Sequence, residues 1–286
     1  MIKGQNRCRF MDKCNGCVSQ SVCMSATSIT MPQRKYLLKV SGHRQQTTPE
    51  MMAGKEMHEN MLEGYKTLAK YGVRRFERDL YNGKEIKLQE LSLCSSLYGM
   101  LGIIDKFIIQ YTKDGNINIS ITDLKPRYTP SYLKQIFVYG MILSDRNCLI
   151  AYDTRTPRAK RKKRITIRLY PKHRFNLNIT LNLEFYLYTK NNIFTIKMLE
   201  NGKPTEFAQG ICTTILKDAK RKRELHKMGI YYLHMFPLCK DCKRLESYCS
   251  LWEICQKAPH VPSTKSAQYF IGSNKLLRKT KPLIKR

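Results

Sequence analysis

Apolar and polar residues alternate most regularly in "INISITDLK" (117–125), where Ile117, Ile119 and Ile121 fall on one face of a predicted strand because successive strand side chains point to opposite faces. "KDGN" (113–116) before it predicts a hairpin turn back to a second strand, "YGMLGIIDKFIIQY", and "KEIKLQELSLCSS" reads as a third. Helical spacing occurs on either side. "TTPEMMAGKEMHENMLEGYKTLAKYG" predicts a helix with Thr48 as cap, Pro49 in the first turn and Gly72 at the stop. Its apolar stripe runs through Met61, Leu62, Tyr65, Leu68 and Ala69, with His58 on the same stripe. A second helix is expected over 131–144, after two prolines, and "CLIAYDT" (148–154) is a short buried strand.

This helix–strand–strand–strand–helix–strand order describes an α/β core with a mixed sheet. The second helix is expected to make the crossover that a parallel partner strand requires. From 165 to 200 the runs "ITIRLY" and "FNLNITLNLEFYLYTKNNIFTIKML" predict either a β extension of the sheet or an inserted hairpin, and a basic helix follows at about 207–228. The expected organisation is a Cys-rich segment (1–47), a core (48–154), a basic β/helical extension (155–230) and a C-terminal Cys cluster with a basic tail (231–286).

Charge changes the picture. Lys+Arg number 52 against 22 Asp+Glu, a net +30, and self-repulsion of that size points first to nucleic acid as a partner and second to an anionic membrane surface. Much of the charge sits in "TPRAKRKKRITIR" (156–168), "KDAKRKRELHK" (217–227) and "KLLRKTKPLIKR" (275–286). One such run is commonly solvated surface; three, interleaved with Tyr and Phe, favour a phosphate-binding surface, with Arg158, Lys160, Arg161, Lys162, Lys163 and Arg164 as candidate contacts. No apolar run approaches the ~20 residues of a membrane span, and "MIKGQNRCRF" has no apolar signal region. The expectation is a soluble cytoplasmic protein with no membrane partner.

Eleven cysteines add a second chemistry. Eight fall into two groups: Cys8, Cys14, Cys17 and Cys23, then Cys239, Cys242, Cys249 and Cys255. Each group contains a C-x2-C, a spacing that lets two thiolates reach one metal centre. Cys94, Cys148 and Cys212 stand singly in apolar surroundings and read as core residues.

The candidate chemistry lies at the hairpin's base. Pairing through the 113–116 turn brings Asp105 toward Asp123, with Lys125 on the same face as Asp123. Two carboxylates that close repel unless a cation lies between them, and hard oxygen ligands suit Mg²⁺ or Mn²⁺. The lysine can orient an attacking water and offset charge building on a phosphate. Gln135 and Tyr139, at i and i+4, share a helix face and are placed to orient the lysine or contact phosphate, and His58 adds an imidazole.

In order, "GKEMHENMLEGY", "GMLGIID", "ITDLK" and "QIFVYG" resemble the successive motifs of RecB-like nucleases of the PD-(D/E)XK superfamily. The resemblance implies a restriction-endonuclease-like core. It makes His58, Asp105 and Asp123 metal ligands, Lys125 the catalytic lysine and Gln135 with Tyr139 a supporting pair; Glu90 stands where relatives often carry an acid. The cysteines are similar to those of the iron–sulfur branch, which includes CRISPR-associated RecB-like exonucleases and exonuclease V. That implies a cluster, of the 4Fe–4S kind, held by Cys23, Cys239 and Cys242 with Cys249 or Cys255; Cys8, Cys14 and Cys17 are left for a second metal site, Zn²⁺ among the options. The implied activity is exonucleolytic cleavage of single-stranded DNA or DNA ends, in repair, recombination or CRISPR adaptation, alongside other DNA-processing proteins. The competing reading is a non-catalytic nucleic-acid-binding protein on the same scaffold with structural zinc sites. The adjacent Asp105, Asp123 and Lys125 weigh against it, since a retired site has no physical need to keep paired acids.

Overall fold

The computed structural model describes residues 23–40, 61–154, 163–170, 175–186 and 192–228, together with Met52, Lys55, Glu56, His58 and Asn60. The chain divides into two units, one of Met1–Thr30 with Gly54–Ala219 and one of Met31–Ala53 with Lys220–Arg286. The described elements are β1 (Met24–Ser25), α1 (Ala26–Thr30), α2 (Gln33–Val40), α3 (Leu68–Tyr71), α4 (Val73–Tyr81), β2 (Ile86–Ser95), β3 (Met100–Tyr111) and β4 (Asn116–Lys125). They continue with α5 (Pro130–Ser144), β5 (Leu149–Thr154), β6 (Lys163–Arg168), β7 (Asn176–Phe185), β8 (Asn192–Glu200), β9 (Lys203–Pro204) and α6 (Glu206–Met228).

In the first unit the strands form one mixed, mostly antiparallel sheet in the order β6-β5-β2-β3-β4-β7-β8-β9, with β1 pairing parallel to β3. β2, β3 and β4 are the expected meander. The β3–β4 turn closes with Thr112 N–H donating to Asn116 O at 2.8 Å, and Gly115 supplies the left-handed φ of +75° that a side chain would resist. Along β4 the buried positions are Ile117, Ile119, Ile121 and Asp123, and then Leu124 at the strand's end. The same alternation that buries the isoleucines therefore carries a carboxylate inside.

The strand after α5 departs from expectation. β5 pairs antiparallel with β2, and the parallel partner of β4 is β7, in register from Asn116–Asn176 to Lys125–Phe185. The crossover thus contains α5, β5 and β6, and the 165–200 runs extend the sheet on both sides, β6 beside β5 and β7–β8 beside β4. α5 begins after Thr129 with Pro130 in its first turn, where the missing N–H costs nothing. It is buried all round from Gln135 to Leu143, packing on the sheet and on α1. A methyl at Gly140 would run into Met198 Sδ, so glycine permits this approach of helix to sheet.

The helix expected over 47–72 is not continuous. The described residues between Met52 and Asn60 are helical, but 61–64 form a turn with Gly64 at φ +82°. Lys66 then bridges to β2: its N–H faces Lys87 O, and its carbonyl accepts from Gln89 N–H at 3.0 Å. Helix resumes at α3, capped by Thr67 and stopped at Gly72, the expected stop. Of the expected stripe Leu62 and Leu68 are buried, Met61 and Tyr65 are half-buried, and Ala69 is exposed. α4, which buries Phe76 and Leu80, was not anticipated.

Cys94 and Cys148 are core residues as expected, whereas Cys212 on α6 is only half-buried. In the second unit, α2 and the end of α6 meet through Tyr36 Oη, 3.3 Å from His226 Nδ1, with the Lys222 ammonium over the Tyr36 ring and bonded to Met31 O. Among the described residues no helix is long and apolar enough to cross a membrane.

Candidate active site

β4 stops pairing with β3 at Lys106–Thr122, while β1 pairs with β3 only at Met100 and Leu101. The strands therefore part beside Asp105. The side chain replaces the lost ladder: Leu124 N–H donates to Asp105 Oδ2 at 2.8 Å. Continued register would set Asp105 opposite Asp123 on one side and opposite Glu90 on the other, between the pairs Gln89–Lys106 and Leu91–Ile104. Three acids thus share one row across β2, β3 and β4.

The pleat also changes phase on this row. In β3 the buried positions are Met100, Gly102 and Ile104, then Phe107 and Ile109; in β2 they are Ile86 and Leu88, then Leu91 and Leu93, with Cys94 and Ser95 also buried at the strand's end. Glu90 sits at the change with φ +51°, a left-handed conformation that costs a β-carbon residue about 1–2 kcal/mol. Replacing Glu90 by Gly should raise the thermal midpoint by a few degrees, about 1 kcal/mol over a unit of this size. It should also lower the His58 pKa, which the Glu90 charge helps to raise. Calorimetry and an NMR titration of the imidazole read the two effects separately, and an unchanged midpoint would remove the strain argument.

His58, on the first helix, places Nε2 3.0 Å from Asp105 Oδ1. Its hydrogen bond to Asp105 raises the imidazole pKa against the opposing effect of burial. Burial acts to raise Asp105, but the His58 bond, the Lys125 charge and the Leu124 N–H together bring it below the ordinary carboxylate range. Asp123 behaves oppositely. It is 1 % exposed, and burial, with the Asp105 charge adding to it and Lys125 opposing, pushes it up to about 7. Lys125 Nζ lies 2.9 Å from Asp123 Oδ2. Burial acts to lower this lysine, but the charges of Asp123 and Asp105 outweigh it and keep the ammonium protonated.

The structure thus brings His58, Asp105, Asp123 and Lys125 together. Gln135 and Tyr139 are adjacent but bond to each other, Gln135 Nε2 donating to Tyr139 Oη at 2.6 Å with both side chains buried. Burial and then the Asp123 charge raise the Tyr139 phenol. The ring against Lys125 is instead Tyr132, two turns before Tyr139, its centroid 5.2 Å from Nζ, a cation–π contact with no signature in the sequence. Tyr186 N–H donates to Lys125 O at 3.0 Å. Its phenol is raised by burial first, then by Tyr132, and feels the charges of Lys125 and Asp105.

Gly102 explains itself only in three dimensions. A methyl there would lie 2.5 Å from Tyr139 Cε1 and 2.7 Å from Cδ1. The glycine of "GMLGIID" and the tyrosine of "QIFVYG" are therefore one packing unit. Gly102→Ala should destabilise by about 1–3 kcal/mol through overpacking and disturb the Gln135–Tyr139 bond; a denaturation midpoint equal to wild type would contradict this.

Asp123 Oδ1 and Oδ2 have no hydrogen-bond partner of proper geometry among the described residues, although the Lys125 ammonium stands against Oδ2. A buried carboxylate in that condition is costly. Among the described residues no group of three or more His, Cys, Asp or Glu is arranged as a metal cage, because His58 closes on Asp105 and Lys125 on Asp123. The donor set, two carboxylates with one unpartnered at its buried end and one imidazole, nevertheless suits a hard divalent cation such as Mg²⁺ or Mn²⁺.

Cys8, Cys14, Cys17, Cys239, Cys242, Cys249 and Cys255 lie outside the described residues, as do Arg158, Lys160, Arg161 and Lys162. Cys23 is half-buried just before β1, and Lys163 and Arg164 open the edge strand β6. No protein-family model and no curated protein matches the chain.

Proposed function

We propose that this chain is a Mg²⁺- or Mn²⁺-dependent deoxyribonuclease of the RecB-like PD-(D/E)XK kind, acting as an exonuclease on single-stranded DNA or DNA ends. The observation that carries the reading is Asp123, a buried carboxylate in one row with Asp105, whose Oδ2 is 2.9 Å from the Lys125 ammonium and whose Oδ1 has no hydrogen-bond partner among the described residues. A catalytic metal would satisfy that open oxygen, which a purely structural buried carboxylate would fill with a hydrogen bond of its own.

In this reading Asp105, Asp123 and His58 hold the cation, which, when bound, polarises the scissile phosphate and acidifies a water. Leu124 N–H and the strand register hold Asp105 in place. Lys125, kept charged by the carboxylates and backed by Tyr132, orients the attacking water and offsets charge on the phosphate. Tyr139 and Gln135 pack behind Asp123 as positioning residues. The net charge of +30 supplies attraction for the phosphate backbone. Cys23, Cys239 and Cys242 with Cys249 or Cys255 are assigned to a structural iron–sulfur cluster, and the pathway to repair, recombination or CRISPR adaptation.

The test is anaerobic incubation with end-labelled single- and double-stranded DNA in Mn²⁺, Mg²⁺ or EDTA. Shortening in the metals and none in EDTA is expected. DNA binding without cleavage in either metal, by protein with its cysteine sites filled, would end the proposal.

A further inference from the structure

An exposed aromatic ring follows just beyond the strand that carries Asp123 and Lys125. Tyr128, three residues after Lys125 and so within about 11 Å of it along the chain, is 50 % exposed. The ring is held in place from behind, Phe185 meeting it at 6.0 Å between centroids with the planes 74° apart. Phe185 is itself 8 % exposed and is the β7 register partner of Lys125. Tyr186, next in sequence, is bonded to the Lys125 backbone, and Tyr132 lies under the Lys125 ammonium. Tyr132 and Tyr186 thus stand at Lys125, and Tyr128 packs on the strand partner of that lysine with half of its surface open.

The edge-to-face contact with Phe185 secures the covered part of the Tyr128 ring and leaves the other half open to a ligand. A flat ring with a fixed orientation, beside cationic and metal-binding groups on a strongly basic chain, suits the face of a nucleobase.

We propose that Tyr128 is a base-stacking platform for the nucleotide next to the scissile phosphate, and that it makes the site prefer unpaired DNA. This rests on the nuclease reading and deepens it. In a duplex the base faces are covered by their neighbours, so only a frayed or single-stranded nucleotide can present one to the ring. Stacking is indifferent to base identity, because every base has a π face. The platform therefore selects strandedness and not sequence. It acts on binding of the substrate and leaves the hydrolytic step to Lys125 and the carboxylates.

The test uses the full chain, prepared anaerobically, with Tyr128→Ala and Tyr128→Trp. Substrates are a fluorescein-labelled oligothymidylate and a blunt duplex of the same length. For the single strand, Tyr128→Ala should raise KM roughly five- to a hundredfold, the range of one lost base stack, with kcat within about twofold. The preference for single strand over duplex should shrink by the same factor. Tyr128→Trp should restore both, which a merely structural role would not predict for a larger ring. An alanine variant with wild-type KM and wild-type preference overturns the platform.

Anisotropy with the same oligonucleotide in EDTA separates this proposal from the nuclease reading. If wild-type protein never cleaves but Tyr128→Ala still loses affinity and Tyr128→Trp regains it, the platform stands and the nuclease reading falls. If affinity is unchanged in Tyr128→Ala, the platform falls whether or not the protein cleaves.

Discussion

Asp123→Asn should abolish metal-dependent cleavage of single-stranded DNA and leave the protein folded, at least as stable as wild type above pH 7 without metal. Both halves follow from one fact. Asp123 is buried, its Oδ1 has no hydrogen-bond partner among the described residues, and burial pushes its pKa up to about 7. Asparagine copies the protonated form, which the pocket prefers, and its amide can donate toward Asp105, the carboxylate that raises Asp123. What it cannot supply is the second anionic oxygen donor for a divalent cation. Lys125→Ala should differ in kind. It removes a charge that opposes the rise of Asp123, so it should lower stability and reduce the cleavage rate roughly 10²–10³-fold, the usual cost of one electrostatic donor. Single-turnover assays with matched melting curves measure all four quantities. Retained cleavage in Asp123→Asn would remove Asp123 from the site. Lost cleavage with a collapsed fold would show that the residue is only structural.

The second large effect is a reversal in how pH acts on stability. Asp123 binds a proton more tightly folded than unfolded, with values of about 7 against 3.8. Between those values the folded state holds the extra proton, so this group's contribution is full below about pH 4 and is lost as pH rises through about 7. His58, also raised, adds stability below its unfolded value of 6.5 that is lost as pH rises through the folded value. Asp105, lowered, acts in the opposite sense: its contribution is present above the unfolded value and lost as pH falls. In EDTA, wild type should therefore lose stability relative to Asp123→Asn between pH 5 and 8, by an amount on the order of a few kcal/mol. A divalent cation competes with the same protons, so the stabilisation by Mn²⁺ should be small near pH 5 and grow toward pH 8. Thermal melts of both proteins with Mn²⁺ or EDTA decide it. A Mn²⁺ shift of equal size at both pH values, or one that persists in Asp123→Asn, would mean that the ion binds elsewhere.

Much of the core was legible because it depends on local periodicity. The alternation of Ile117, Ile119 and Ile121 was sufficient to place Asp123 on the buried face, and the turn residues were sufficient to pair β3 with β4. The two prolines and the apolar run after them marked α5. The membership of His58, Asp105, Asp123 and Lys125 in one site also followed from residues and their order. Where glycine and backbone pairing compete with helical spacing, the local pattern misled: Gly64 and the Lys66 bridge to β2 break the first helix.

Other features depend on which strands lie side by side, and no local pattern encodes that. β5 could have followed α5 into a parallel place beside β4; only the tertiary structure decided that it joins β2 and that β7 takes the place. The left-handed backbone at Glu90, the parting of β3 and β4 beside Asp105, the contact of Gly102 with Tyr139 and the ring of Tyr132 on Lys125 are all of this kind. The chain by itself determined the order of the candidate side chains and which face a regularly alternating strand buries, because periodicity is a property of consecutive residues. Register, pleat phase and the contacts behind the site arise between segments far apart in sequence, where packing and hydrogen-bond completion choose among partners that each segment alone would accept equally.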